Sequence, residues 1–121
     1  MFRRIELINT LPRAILYDEQ GKYPQAEPLY QRALRIREQA LGPNHADMAY
    51  PLTNLANLYY QQGKYDEAEP LYQRALRIRE QVLGPTHPLL QETVRNYASF
   101  LRKMGRETEA LHLEKSLPSS S

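Results

Sequence analysis

The sequence predicts an all-α solenoid of about three helix pairs, and three observations support this prediction. The stretch AEPLYQRALRIREQ occurs at Ala26–Gln39 and again, letter for letter, at Ala68–Gln81. A shift of 42 residues superimposes the two copies and also aligns the glycines at positions 21, 63 and 105. Within each period, apolar residues recur with the spacing of an α-helix. Repeated units of this kind cannot bury an apolar face alone, so they stack on one another.

The period divides one domain, residues 1–117, into three units at about 6–43, 48–85 and 90–117. Each unit holds two helices separated by a glycine turn. The remaining residues, 118–121, are Pro-Ser-Ser-Ser. This polar end predicts a disordered tail.

Pro12 limits where the first helix of the chain can begin. A helix that began near Arg3 would carry Pro12 in its interior, where the missing backbone donor is costly. We therefore expect a short first helix from about Leu11 to Glu19, or a kink at Pro12. Residues 1–9 would then follow a path of their own.

The apolar face of this first helix is also inverted relative to the repeat. Thr10 and Arg13 occupy the positions that Leu52 and Leu55 occupy one unit later. The apolar residues of the segment then need cover elsewhere, and burying each would stabilise an association by roughly 1.5 to 3 kcal/mol. We predict a weak homodimer through these side chains: Phe2, Ile5, Ile8, Leu11 and Ile15.

The second unit has the clearest helical pattern. Its first helix carries apolar residues at i, i+3, i+4 and i+7, namely Leu52, Leu55, Ala56 and Tyr59. Gly63 separates it from a second helix, predicted from about Asp66 to Leu83, which stops at Gly84-Pro85. Pro70 lies near the predicted start, where backbone N–H groups have no intrahelical acceptor. We interpret this proline as a start marker.

The third unit repeats the pattern at its first helix, with Val94, Tyr97, Ala98 and Leu101. Thr86 is the predicted N-cap, and Pro88 belongs to the first turn. The second helix departs from the repeat, because Glu114 stands where the earlier units have Tyr30 and Tyr72. Terminal repeats are often atypical in this way.

The order of residues in the second unit resembles a tetratricopeptide repeat: Leu55-Ala56, Tyr59, Gly63, Tyr65, Ala68, Tyr72 and Ala75. The stretch YDEAEPLYQRALRIREQVLGPTHP resembles the 42-residue version found in kinesin light chains and in many bacterial proteins. The resemblance covers nearly the whole chain. It implies a right-handed solenoid whose concave face, built by the first helices, binds peptides or protein segments. It does not imply cargo transport, because the chain has no heptad segment for joining a kinesin heavy chain.

Composition and charge exclude several other functions. The 16 basic and 14 acidic side chains give a net charge of +2. They are interleaved along the chain, so nucleic acid is not an expected partner. The chain has no cysteine, which rules out disulfides, thiolate catalysis and zinc ribbons. No apolar run is long enough for a signal peptide or a membrane span, so we expect a cytoplasmic protein without a membrane partner.

Polar stripes lie opposite the apolar face on the first helices of the last two units. One consists of Tyr50, Asn54, Asn57 and Gln61, and the other of Glu92, Asn96, Ser99 and Lys103. Asn54 and Asn96 lie one period apart, and an asparagine amide offers a donor and an acceptor to an extended backbone. In the resembling proteins, asparagines at this place contact the bound peptide. We predict that the stripes bind a peptide; the alternative is that they are solvated polar faces.

Basic residues accompany the second stripe. Arg95 and Arg102 flank it, and together with Lys103 they favour an acidic segment or a free carboxylate, which arginine binds through two parallel hydrogen bonds. The alternative is again a solvated, charged helix face. For the whole protein, the competing hypothesis is a structural module that assembles through its open ends without any peptide ligand.

No pattern of residues supports catalysis, a metal site or a cofactor. His45 and His87 occupy equivalent turns one period apart, which is too far for a shared ion. We predict that each hydrogen-bonds the backbone beside the following helix. His112 has no counterpart in another unit and is predicted to lie on the surface. Because no triad spacing and no glycine-rich loop after a strand occur, we predict that the protein is not an enzyme.

Overall fold

The computed structural model describes residues 2–117, with side chains from Thr10 onwards. The described part forms an all-α solenoid of three helix pairs. The first pair is α1 (Phe2–Glu19) and α2 (Tyr23–Leu41), the second is α3 (Ala49–Gln61) and α4 (Tyr65–Val82), and the third is α5 (Pro88–Lys103) and α6 (Glu107–Lys115). A short 3₁₀ helix, Ala46–Met48, precedes α3. The predicted tail, 118–121, lies outside the described residues.

The turn inside each pair has the same geometry. Its glycine has a positive φ, which is 73° at Gly21, 77° at Gly63 and 76° at Gly105. The residue after each glycine donates its N–H to the carbonyl five positions earlier, at 2.8 Å in all three turns. A Cβ at these glycines would meet no atom within 4 Å. The left-handed backbone, rather than a lack of space, therefore explains the repeated glycine.

The repeated prolines lie farther into their helices than predicted. Helix α4 begins at Tyr65 rather than Asp66, because the N–H of Ala68 already donates to the carbonyl of Lys64 at 3.1 Å. Pro70 is thus beyond the first turn, and the interpretation as a start marker is wrong. The proline leaves the carbonyl of Asp66 without its intrahelical donor, and Pro70 is exposed to solvent, which can supply one.

Histidine caps the turns between the pairs. Nδ1 of His87 accepts a hydrogen bond from the N–H of Leu89 at 3.1 Å, and Nδ1 of His45 accepts one from Asp47 at 3.1 Å. The predicted backbone role of both histidines is confirmed. The N-cap of α5 is therefore His87 and not Thr86, as the side chain of His87 reaches the second residue of the helix.

The first helix is longer than predicted. Helix α1 runs without interruption from Phe2 to Glu19 and contains Pro12. The expected short helix is wrong, and so is the separate path for residues 2–9, while Met1 lies outside the described residues. Pro12 is exposed, so its ring displaces no core contact and the helix tolerates one missing hydrogen bond. A kink at Pro12 stays a prediction.

The faces of α1 also differ from the prediction. Thr10 is buried, as its repeat position requires, but Arg13 is exposed. Leu11 and Ile15 are half-buried against the hydrophobic core rather than left on the groove side. The prediction that the apolar face of the first helix is inverted relative to the repeat is therefore wrong for Leu11 and Ile15. The face of α1 that carries Arg13 is exposed to solvent in this structure. The side chains of Phe2, Ile5 and Ile8 lie outside the described residues.

The core lies within the helix pairs and continues between successive pairs. Phe100 of α5 is 3% exposed, and its ring lies 5.2 Å from that of Tyr72 and 6.1 Å from that of Tyr60, both in the preceding pair. Leu58, one period before Phe100, is fully buried, whereas Leu16, one period earlier still, is 51% exposed. The same helix position is thus buried only when a preceding unit covers it.

A polar contact also recurs between units. Glu27 of α2 pairs with Nζ of Lys64 at 3.1 Å, and Glu69 of α4 pairs with the guanidinium of Arg106 at 2.8 Å. These two pairs are equivalent under the 42-residue shift. Glu69 also accepts a hydrogen bond from the Tyr97 hydroxyl at 2.6 Å. Each contact ties the second helix of one unit to the following unit.

Glu69 should make the stability of the protein depend on pH. The hydrogen bonds from Arg106 and Tyr97 lower the pKa of the Glu69 carboxyl below its ordinary value of 4.5. Because the folded pKa is depressed, the stabilisation is present above about pH 4.5 and is lost as the pH falls through the folded value. Glu69→Gln should lower the free energy of unfolding at pH 7 by about 1 to 3 kcal/mol and flatten its decline below pH 4.5.

Urea unfolding between pH 3 and pH 7 measures this effect. Glu67→Gln is the matched control, because Glu67 is exposed on the same helix and accepts no hydrogen bond among the described residues. An acid-dependent loss of stability that is unchanged in Glu69→Gln would contradict the prediction.

Candidate functional site

An open depression of about 230 Å³ lies where α3 and α5 run beside each other. It contains five of the nine predicted peptide-binding residues, namely Asn57, Gln61, Asn96, Ser99 and Lys103. The other lining residues are Tyr60, Tyr72 and Phe100. Tyr50, Asn54 and Arg95 lie outside this lining, on the same two helices. The C-terminal part of each predicted stripe thus contributes to the same depression.

The Asn57 amide is oriented by a buried tyrosine. The Tyr72 hydroxyl donates a hydrogen bond to Oδ1 of Asn57, and burial raises the pKa of Tyr72 to about 12. The phenol therefore stays protonated at neutral pH and keeps its role as donor. With Oδ1 engaged, the NH₂ group of Asn57 is left to donate to a ligand, because no described residue accepts from it.

Three other polar groups of the depression have no hydrogen-bond partner among the described residues. They are the side chains of Gln61, Asn96 and Ser99, two of which are exposed while Asn96 is half-buried. The amides can each donate and accept, and the hydroxyl can do both as well. This combination suits the alternating N–H and C=O groups of an extended peptide backbone.

The floor of the depression is aromatic, which the sequence analysis missed. The rings of Tyr60 and Phe100 lie edge to face with centroids 6.1 Å apart, and the ring of Tyr72 lies 5.2 Å from Phe100. Tyr72 is buried, with 3% of its surface exposed, and still contributes to the lining of the depression. Tyr60 follows Asn57 by three residues, so the two side chains lie on the same helix face. This spacing could have indicated that Tyr60 belongs to the same site as Asn57.

The charge of the depression is positive. None of its lining residues is acidic, and Nζ of Lys103 lies 4.9 Å from the centroid of the Tyr60 ring. Such a position is a cation–π contact. Arg95 is exposed nearby on α5, without a charged partner among the described residues. These two cations remain available to an acidic ligand.

Arg102 faces away from this depression. Its guanidinium bonds the carboxylate of Glu107 at 3.0 Å and that of Glu114 at 2.7 Å, both on α6. These bonds raise the pKa of Arg102. The guanidinium is therefore occupied inside the last unit, and Glu114, the residue that departs from the repeat, is one of its partners.

Other classes of site find no support in the described part of the chain. No group of three or more His, Cys, Asp or Glu residues there could hold a metal ion. None of the helices between residues 2 and 117 has the length and apolar character needed to cross a membrane. His112 is exposed on α6, as predicted.

Comparison with known proteins decides the family. The model of the tetratricopeptide repeat family matches residues 6–81 and 47–117. The chain belongs to the tetratricopeptide repeat family. Tetratricopeptide repeats generally mediate protein–protein interaction, and the fold is a non-catalytic scaffold. A comparison with curated proteins finds no match.

Among solved structures, the tetratricopeptide chain is similar to a kinesin light chain-like protein, BtubC (BKLC) from P. vanneervenii. The TM-score with its crystal structure is 0.80 at 24% sequence identity. The match covers 91% of this chain and 44% of that protein, so the chain spans less than half of its length. The similarity supports the fold, and the resemblance to 42-residue repeats is confirmed.

Proposed function

We propose that this tetratricopeptide protein is a scaffold that binds an extended peptide or protein segment in the depression between α3 and α5. One observation carries the proposal. The Asn57 amide, oriented by Tyr72, lies with the Asn96 amide and the Lys103 ammonium around one aromatic floor. The amides suit a peptide backbone, and the floor suits an apolar side chain of the ligand.

The charge around the depression favours an acidic ligand. Lys103 lines the depression and Arg95 lies beside it, while no carboxylate lines it. Opposite charges on the ligand would mainly raise the association rate and select among partners. The backbone contacts would supply an affinity that does not depend on charge.

Two pairs of substitutions separate these contributions. Asn57→Ala with Asn96→Ala should weaken binding of acidic and neutral peptides alike by roughly tenfold, because hydrogen bonds to the backbone are lost. Arg95→Glu with Lys103→Glu should weaken binding of acidic peptides only and flatten its dependence on salt. The measurement is retention of acidic, neutral and basic peptide pools of equal length on the immobilised protein.

Arg35→Glu is the control, because Arg35 is exposed on α2, away from the depression, and its charge change equals that of each single substitution in the Arg95 and Lys103 pair. Equal losses in Arg35→Glu and in the groove variants would indicate non-specific attraction and contradict the proposal. Retention that none of the substitutions changes would contradict it as well.

End-to-end association is a second candidate, which the exposed ends of the solenoid favour. Leu16 of α1 is 51% exposed, although its equivalent Leu58 is fully buried, and Leu111 of α6 is 43% exposed. Leu111 also replaces the glutamate found at positions 27 and 69, so a following copy would find no carboxylate there. The association would therefore be apolar and weak. Burying each leucine stabilises the complex by roughly 1.5 to 3 kcal/mol, whereas the loss of translational and rotational freedom on association costs about 4 to 15 kcal/mol.

Light scattering coupled to size exclusion tests this second candidate. The mass of the wild-type protein should rise with concentration, and Leu16→Glu or Leu111→Glu should each return it to that of a monomer. Both variants should act alike, because a head-to-tail contact needs both ends. A wild-type monomer at every concentration would rule out end-to-end association.

A further inference from the structure

A second depression, of about 170 Å³, lies where the last helix pair is shorter than the pair before it. Its walls are the end of α4, the start of α5 and the end of α6. Seven apolar side chains line it, namely Leu76, Leu83, Pro85, Leu90, Val94, Leu113 and Leu117. Its polar side chains are those of Glu80 and Ser116. We call this depression the end groove.

The repeat shows what covers the same surface one unit earlier. Arg74 of α4 stands one period before Ser116. Its guanidinium bonds the carboxylate of Glu38 at 3.0 Å and the carbonyl of Pro43 at 2.9 Å. Glu38 and Pro43 are the equivalents of Glu80 and Pro85, which line the end groove. An arginine on a helix is therefore the side chain that completes this surface within the protein itself.

Helix length explains why the end groove is open. Helix α4 continues for two more turns after Arg74, to Val82, and its next inward residues, Ala75 and Ile78, are 0% and 1% exposed. Helix α6 ends at Lys115, and Ser116 and Leu117 are not helical. Leu117 precedes a proline, which disfavours helical geometry at that residue.

Glu80 remains without a charged partner among the described residues. Residues 118–121 are Pro-Ser-Ser-Ser and carry no cationic side chain that could take the place of Arg74. Helix α4 also ends beside Glu80, and its last carbonyl groups have no donor within the helix. A guanidinium, which presents five N–H donors, fits a carboxylate next to free carbonyls.

We propose that the end groove binds a helical segment of a partner protein, with an arginine of that segment paired to Glu80. The segment would carry apolar residues one and four positions after the arginine, as Ala75 and Ile78 follow Arg74. This is recognition of an amphipathic helix in a groove. It uses a different surface from the depression between α3 and α5, and neither proposal depends on the other.

A synthetic peptide with the sequence of residues 71–83, LYQRALRIREQVL, is the probe. Titrated into the full chain, it should shift backbone amide signals at the end of α4 and the start of α5. A control peptide with alanine in place of Arg74 should bind roughly tenfold more weakly, because bonds from the charged guanidinium are lost.

Three variants of the protein complete the test. Glu80→Gln should weaken binding of the probe by roughly tenfold as well. Asp66→Asn, at the exposed start of the same helix, should leave binding unchanged. Ser116→Arg should supply the missing arginine within the chain and abolish binding. Glu80 and Ser116 are both exposed, so circular dichroism should show unchanged helicity in all three variants.

Several results would overturn the proposal. Equal affinity for the two peptides, or no effect of Glu80→Gln and Ser116→Arg, would show that the arginine pairing is absent. Signal shifts confined to α3 and the second half of α5 would place the probe in the other depression. Binding that appears only after residues 118–121 are removed would assign the end groove to the protein's own tail.

Discussion

The burial of one helix pair by the next is the interaction on which this structure depends. A single pair has an apolar face that its own two helices cannot cover, and the neighbouring pair covers it. Phe100 shows the arrangement directly, since its ring packs on Tyr60 and Tyr72 of the preceding pair. The position that Phe100 shares with Leu58 and Leu16 is buried in the second and third units and exposed in the first. Stacking of one pair on the next therefore adds burial that packing within a single pair does not provide.

The same stacking builds the surfaces that could bind partners. Because α3 and α5 are brought side by side, Asn57 and Asn96 come to line one depression over an aromatic floor. The floor belongs to the contact between units, so the ligand surface and the core share Tyr72, whose ring is buried while its hydroxyl orients Asn57. Beside the short α6 lies the end groove, whose Glu80 carboxylate has no charged partner among the described residues. Both surfaces are consequences of the repeat and of its interruption.

The repeated parts of the fold were predicted correctly, because a pattern that recurs after 42 residues supports the same structure at each occurrence. The second and third units, the glycine turns and the backbone role of His87 were predicted from patterns that occur more than once. Helix α1 was predicted wrongly, because its apolar face was expected to be inverted and its start was placed next to Pro12, whereas Leu11 and Ile15 pack on the core and Pro12 lies inside the helix. The position of Arg102 could not be predicted either, since it depends on how α6 packs against α5 and brings Glu107 and Glu114 to the guanidinium. The aromatic floor was missed because Tyr60 was assigned to neither polar stripe, and the residue one period after it is Arg102 rather than an aromatic residue.

The most direct measurement compares the same substitution at the same repeat position with and without a preceding unit. Leu58→Ala should lower the free energy of urea unfolding by about 2 to 5 kcal/mol, because a fully buried leucine leaves a cavity between two units. Leu16→Ala should change it by less than about 1 kcal/mol, because that leucine is 51% exposed at the open end. Equal losses in the two variants would mean that this position stabilises its own helix pair, and the account of the fold as a stack of mutually covering units would be contradicted.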